Sequence, residues 1–295
     1  MKLIKTTSIC VTIVLIFSLF VIHAHAKVEC NELKKNEIIL WEAELLIFDE
    51  ITADDPFLVQ KCIDKYPSLA TFLDSPGGDI DAAMTIGKIL RTNRKSVFVK
   101  QSSQCVSACV LILAGAVNRA PYGIIGIHRP YSTRTGIVNF DYAQNKYQKI
   151  KSDVENYLRL MNIPASLFSA MERIPPEETK ILTAHEIDAY GLSGMDPVEN
   201  EVQNAYYADQ RGVSIQEYIR RKEEAKRLCK QSYKTSSNDM LSEFDCREAV
   251  SWGLTTSVYN SRRMRLSLCD KDKMNYGLES REYNSCVREI MNGTK

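Results

Sequence analysis

The sequence predicts an α/β core followed by a small helical, disulfide-rich C-terminal region, and three observations carry that prediction. Short apolar runs alternate with amphipathic helical stretches from Ile38 to about residue 195. Two of the runs end in turns that lead straight into helices, at Asp74–Asp79 and at Cys105–Cys109. From Glu199 onward the pattern changes to charged helical sequence carrying Cys229, Cys246, Cys269 and Cys286.

The chain opens with Lys2 and Lys5, an apolar run from Ile9 to Ile22, and Ala24-His25-Ala26 ahead of Lys27. That is the layout of a secretory signal peptide cut after Ala26. The run falls short of the roughly 20 apolar residues that a membrane span needs. Residues 1–26 are therefore expected to be removed, leaving an exported or secreted protein with no stable membrane span. Cleavage takes two of the 38 basic residues and none of the 37 acidic ones, so the formal charge goes from +1 to −1. A near-neutral chain lacks the clustered positive charge that a nucleic-acid partner requires.

Each core element has a local reason. The apolar stretch Ile38–Phe48 is followed by Thr52-Ala53-Asp54-Asp55-Pro56, a helix-start signal for a helix reaching Ile63. Ser68–Leu73 reads as a buried strand running into Asp74-Ser75-Pro76-Gly77-Gly78-Asp79, and Ile80–Leu90 as the helix after it. Val97–Val99 is a further strand. A polar turn, Gln101–Gln104, leads to Cys105-Val106-Ser107-Ala108-Cys109 and the apolar helical run Val110–Ala116. Ile124–Ile127 is a strand ending at His128-Arg129-Pro130. Residues 141–161 form a polar helix with an apolar stripe, Ala165–Met171 a short one, and Thr183 with Glu186 the capping box of a last one.

The tail repeats weakly at an offset of 40 residues, Leu228-Cys229 recurring as Leu268-Cys269 and Cys246 as Cys286. Bridges Cys229–Cys246 and Cys269–Cys286 would close two comparable loops and suit a segment too short to bury much, though other pairings stay open. Without Cys10, eight cysteines remain, an even number that fits an oxidising compartment. Cys105 and Cys109 read as a local bridge, as two buried thiols, or as members of longer bridges, with Cys30–Cys62 among the long-range pairings. No Cys-x-x-Cys pair occurs, so neither a metal nor another cofactor is implied. The expected division is a signal peptide at 1–26, an α/β domain at 27–200, a charged helical linker at 201–227 and a cysteine-rich helical region at 228–295.

Chemistry gathers at three segments. Ser107 sits between a strand end and an apolar helix, where unpaired backbone N–H groups can stabilise developing negative charge. Gly77-Gly78 lets backbone N–H groups approach a ligand, so Gly77 or Gly78 with Ala108 can supply the two donors of an oxyanion hole. His128 ends a buried strand as the candidate base.

Ser75-Pro76-Gly77-Gly78, then Cys105-Val106-Ser107-Ala108-Cys109, then Gly126-Ile127-His128-Arg129-Pro130 together resemble the proteolytic subunit of the Clp protease, and more closely its exported bacterial relatives. The resemblance spans roughly residues 38–195 and omits the tail. It implies a crotonase-type spiral of strand–strand–helix units, with Ser107 as nucleophile, His128 as base, Gly77 and Ala108 as oxyanion donors, a peptide or protein substrate, and a homo-oligomeric assembly. It departs from the family at the third catalytic member. Thr179 stands where the aspartate is expected, and Glu178 one position upstream is the candidate orienting acid. The sequence thus carries two readings: an exported serine hydrolase of the peptidase kind, and a catalytically degenerate relative kept for binding or assembly.

Overall fold

A computed structural model describes residues 27–33, 41–131, 140–229, 237–269 and 281–294. The expected signal peptide, residues 1–26, lies outside the described residues. The chain divides into two compact units, residues 1–116 with 120–192, and residues 117–119 with 193–295. The expected division at residue 200 thus lies eight residues beyond the observed one. Residues 201–227, expected as a linker, belong to the second unit.

The first unit is built on a mixed sheet. Strand β1 (Lys27–Glu32) pairs antiparallel with β2 (Ala43–Ile51), which runs parallel to β3 (Leu69–Gly78). Strand β3 is flanked by parallel partners, β4 (Ser96–Val99) and β5 (Gln104–Val106). Strand β5 runs parallel to β7 (Ile124–Ile127), which pairs antiparallel with β8 (Lys180–Ile181). Strand β6 (Asn118–Pro121) precedes β7. Helices α1 (Asp55–Lys65), α2 (Ile80–Thr92), α3 (Cys109–Gly115), α4 (Phe140–Leu160), α5 (Ala165–Glu172) and α6 (Ala184–Ala189) complete the unit. This is the α/β class that alternating apolar runs predict.

One expected turn is instead a strand. Asp74–Gly78 continues β3, because Glu50 and Ile51 of β2 pair with Gly77 and Gly78 and hold the segment extended. The helix ends follow the sequence signals. Asp79 caps α2 by accepting from the Ala82 N–H at 2.8 Å, and Thr183 and Glu186 form both bonds of the capping box on α6. Every residue of α3 is buried, which accounts for its apolarity on all sides. Tyr157 of α4 is 2% exposed and donates its hydroxyl to the Leu111 carbonyl at 2.6 Å, which satisfies that polar group inside the core.

The second unit contains β9 (Gly194–Met195) and helices α7 (Pro197–Arg211), α8 (Ile215–Leu228), α9 (Ser237–Trp252), α10 (Thr256–Arg263) and α11 (Arg281–Asn292), with a 3-10 segment at Met264–Cys269. Buried Arg211 is its polar centre. Its guanidinium pairs with Glu248 at 2.9 Å, donates to Ser251 Oγ at 2.9 Å, and lies 5.0 to 5.4 Å from the ring centres of Tyr207, Tyr218 and Trp252. Among the described residues four disulfides occur: Cys30–Cys62, Cys105–Cys109, Cys229–Cys246 and Cys269–Cys286. The two tail bridges each span 17 residues, as the 40-residue repeat suggests.

Candidate active site

Strand β5 delivers Ser107 and α3 carries the chain away from it. Between them Ser107 adopts a left-handed backbone with φ of 57°. For a non-glycine residue that conformation costs about 1–2 kcal/mol, so its surroundings must hold it. They do so on three sides. The Ser107 N–H donates to the Gly126 carbonyl at 3.0 Å, its carbonyl accepts from Val110 N–H at 3.1 Å, and the Cys105–Cys109 bridge spans the turn. Gly77 packs so close that a Cβ there would meet Ser107 Cβ at 2.6 Å, and its φ is 113°, so only glycine fits.

Ser107, Ala108, His128, Gly77 and Gly78 line one cleft of about 710 Å³. Its apolar wall includes Ile80, Leu111, Ile150 and Met171, and its charged rim includes Asp81, Lys146, Lys149 and Asp153. Lys149 pairs with Asp153 at 2.5 Å, and that bond raises the ammonium above its usual range. His128 is 8% exposed, with its ring beside that of Tyr131 and its Nδ1 3.0 Å from the Arg129 carbonyl. Among the described residues, Ser107 and His128 share no hydrogen bond. The Ala108 N–H has no backbone partner there and remains available as a donor.

Two of the expected roles meet a different geometry. The Gly77 N–H donates to Ser75 Oγ at 3.1 Å, and Ser75 Oγ in turn donates to the Asp49 carbonyl at 2.6 Å. That chain occupies Gly77 and leaves Gly78 as the glycine to consider with Ala108. In the sequence Ser75 stands in the Ser75-Pro76-Gly77-Gly78 motif without a role of its own. Glu178 is exposed, does not line the cleft, and donates its own N–H to the Pro175 carbonyl at 3.1 Å. Among the described residues it makes no hydrogen bond to His128. Thr179 instead packs its Cγ2 over Gly126, 2.8 Å from where a Cβ there would sit.

Beside this segment, Glu172 of α5 accepts from Lys151 at 2.8 Å and from the Tyr147 hydroxyl. Burial pushes the Glu172 carboxyl up, but those two bonds outweigh it and hold the group below its ordinary value. Burial first, and the Glu172 bond second, push the Tyr147 hydroxyl up to about 12.

The family model for Clp protease matches residues 31–198, more than half of the chain and the whole of the cleft. The chain belongs to the Clp protease family. It is 27% identical over 136 residues to the ATP-dependent Clp protease proteolytic subunit 2 of Borreliella burgdorferi, covering 42% of this chain and 69% of the relative. To the subunit of the same name from Streptomyces coelicolor it is 26% identical over 155 residues, covering 49% and 69%. A solved structure of a mutant ClpP1 from Listeria monocytogenes aligns over 51% of this chain and 88% of that one, at 19% identity and a TM-score of 0.41. The Clp protease family is one of serine proteases, hydrolases that act on peptides and form homo-oligomers. This Clp protease relative extends beyond the matched region by most of its helical unit.

Proposed function

We propose that this chain is an exported serine peptidase working through Ser107 and His128. The observation that carries the reading is the left-handed Ser107 turn, held against Gly77 and opening into the cleft that His128 also lines. A turn of that cost is kept where it aims a side chain. Ser107 Oγ attacks the substrate carbonyl carbon while His128 Nε2 takes its proton. The carbonyl electron pair moves to oxygen, where the N–H groups of Ala108 and Gly78 receive it. Collapse of the intermediate breaks the C–N bond, and the amine leaves with the proton from His128. Water, deprotonated by the same imidazole, then hydrolyses the acyl-enzyme.

Labelling with a fluorophosphonate tests this. The folded protein is expected to label at some pH between about 6 and 9. Labelling is expected to vanish in Ser107→Ala and His128→Ala. A folded protein inert across that range overturns the reading. It would favour the alternative, a degenerate relative kept for binding or assembly, which the hydroxyl in place of a carboxylate at Thr179 supports. Export is supported by four cysteine pairs. N-terminal sequencing of protein secreted by a bacterial host is expected to begin at Lys27, and retention of residues 1–26 would refute cleavage.

A further inference from the structure

We infer that the main-chain carbonyl of Arg129, and no carboxylate, orients His128, fixing the ring as its Nδ1–H tautomer with Nε2 free to act as the base. A carbonyl oxygen can only accept, so the 3.0 Å contact from Nδ1 requires that nitrogen to carry the proton. The acceptor is itself held in place. The Arg129 N–H donates to the Ile174 carbonyl at 2.9 Å, and Pro130, which is buried, restricts the backbone of the residue before it. His128-Arg129-Pro130 therefore works as one unit, in which the proline steadies the carbonyl that steadies the imidazole.

The local structure disposes of the two side chains that compete for the role. Strands β7 and β8 pair Gly126 with Ile181 and Ile127 with Lys180. The pairing ends there: the Arg129 N–H bonds to the Ile174 carbonyl at 2.9 Å, and the Glu178 N–H closes a turn on the Pro175 carbonyl at 3.1 Å. Glu178 lies in that turn, is exposed, and makes no hydrogen bond to His128 among the described residues. Thr179 has its methyl packed over Gly126. A neutral carbonyl selects the tautomer as well as a carboxylate does. It stabilises the imidazolium that forms during attack much less.

The inference deepens the hydrolase reading, yet its test needs no turnover. Nitrogen-15 correlation spectra of the histidine rings of the full chain, recorded where His128 is neutral and assigned by the peaks missing in His128→Gln, are expected to show a protonated Nδ1 and a bare Nε2. Free histidine favours the other tautomer, so the signature is diagnostic. It is expected to persist in Glu178→Gln and Thr179→Val, and to become a mixture of tautomers in Pro130→Gly. A protonated Nε2 in the wild type, or loss of the Nδ1–H signature in Glu178→Gln, overturns the inference. Protein that keeps the signature but resists fluorophosphonate refutes only the hydrolase reading. Protein that labels yet carries Nε2–H refutes only this one.

Discussion

In the α/β unit one continuous cluster of buried side chains runs from Ala43 to Leu192 and takes in every buried apolar residue of α3. Among the described residues of the helical unit, the clusters hold three buried residues each, and one of them contains the bridged pair Cys269 and Cys286. The first unit is held by packing, and its local bridge Cys105–Cys109 closes so short a loop that its main effect is on the Ser107 turn. The second is held by long-loop bridges and by the Arg211 cluster. Disulfides therefore do different work in one chain: Cys229–Cys246 and Cys269–Cys286 stabilise where the core is small, Cys105–Cys109 places a side chain, and Cys30–Cys62 ties β1 to α1 across 32 residues within the α/β unit.

The sharpest way to break this comparison is to injure each unit where it is strongest. Ile112→Ala, at a fully buried position of α3, is expected to cost about 2–5 kcal/mol in urea unfolding monitored on the α/β unit. A smaller loss would mean that this unit does not depend on its core. Replacing Cys269 and Cys286 by alanine together is expected to cost the helical unit about 3 kcal/mol, the entropy of a loop of this size. Protease cuts should then appear beyond residue 193 while fluorophosphonate labelling of Ser107 stays at its wild-type rate. Cuts spread evenly over both units would erase the distinction.

Two smaller effects sharpen it within the α/β unit. Thr179→Asp places a carboxylate at the position where the family's aspartate is expected and should raise the labelling rate by about 10-fold, a small fraction of what an orienting carboxylate contributes in serine proteases. An unchanged rate would mean that position 179 does not face the imidazole. The least effect is expected at Glu186. Its carboxyl is held at about 2, below its ordinary 4.5, first by the bond from Lys180 and then by those from Thr183. A value lowered by folding gives stability that is present above 4.5 and is lost as pH falls through about 2. The melting temperature of Glu186→Gln should accordingly trail the wild type at neutral pH and converge with it on acidification. A gap that ignores pH would show that the capping geometry alone matters.

Much of the fold was legible because its signals are local. The Thr183–Glu186 capping box, the helix start at Asp79 and the buried strand Ile124–Ile127 each follow from a few adjacent residues. Strands β6, β8 and β9 were not legible. They are two to four residues long, too short to show a period, and exist only because a neighbouring strand pairs with them. The same holds at the site. Gly77, Ser107 and His128 stand out by residue type next to a strand end, whereas the engagement of Gly77 by Ser75 and the misplacement of Glu178 depend on hydrogen bonds and register that no local pattern encodes.

The sequence by itself determined the alternating α/β layout, the helix starts at Asp79 and Thr183, the even spacing of the tail cysteines and the candidates Ser107 and His128. Each of these depends on residues close together in the chain, or on composition. Only the tertiary structure decided that the Gly77 N–H is taken by Ser75, that Glu178 lies in a turn away from the cleft, and that a backbone carbonyl bonds the imidazole where a carboxylate was expected. Those outcomes are set by strand pairing between segments some fifty residues apart, such as β7 and β8.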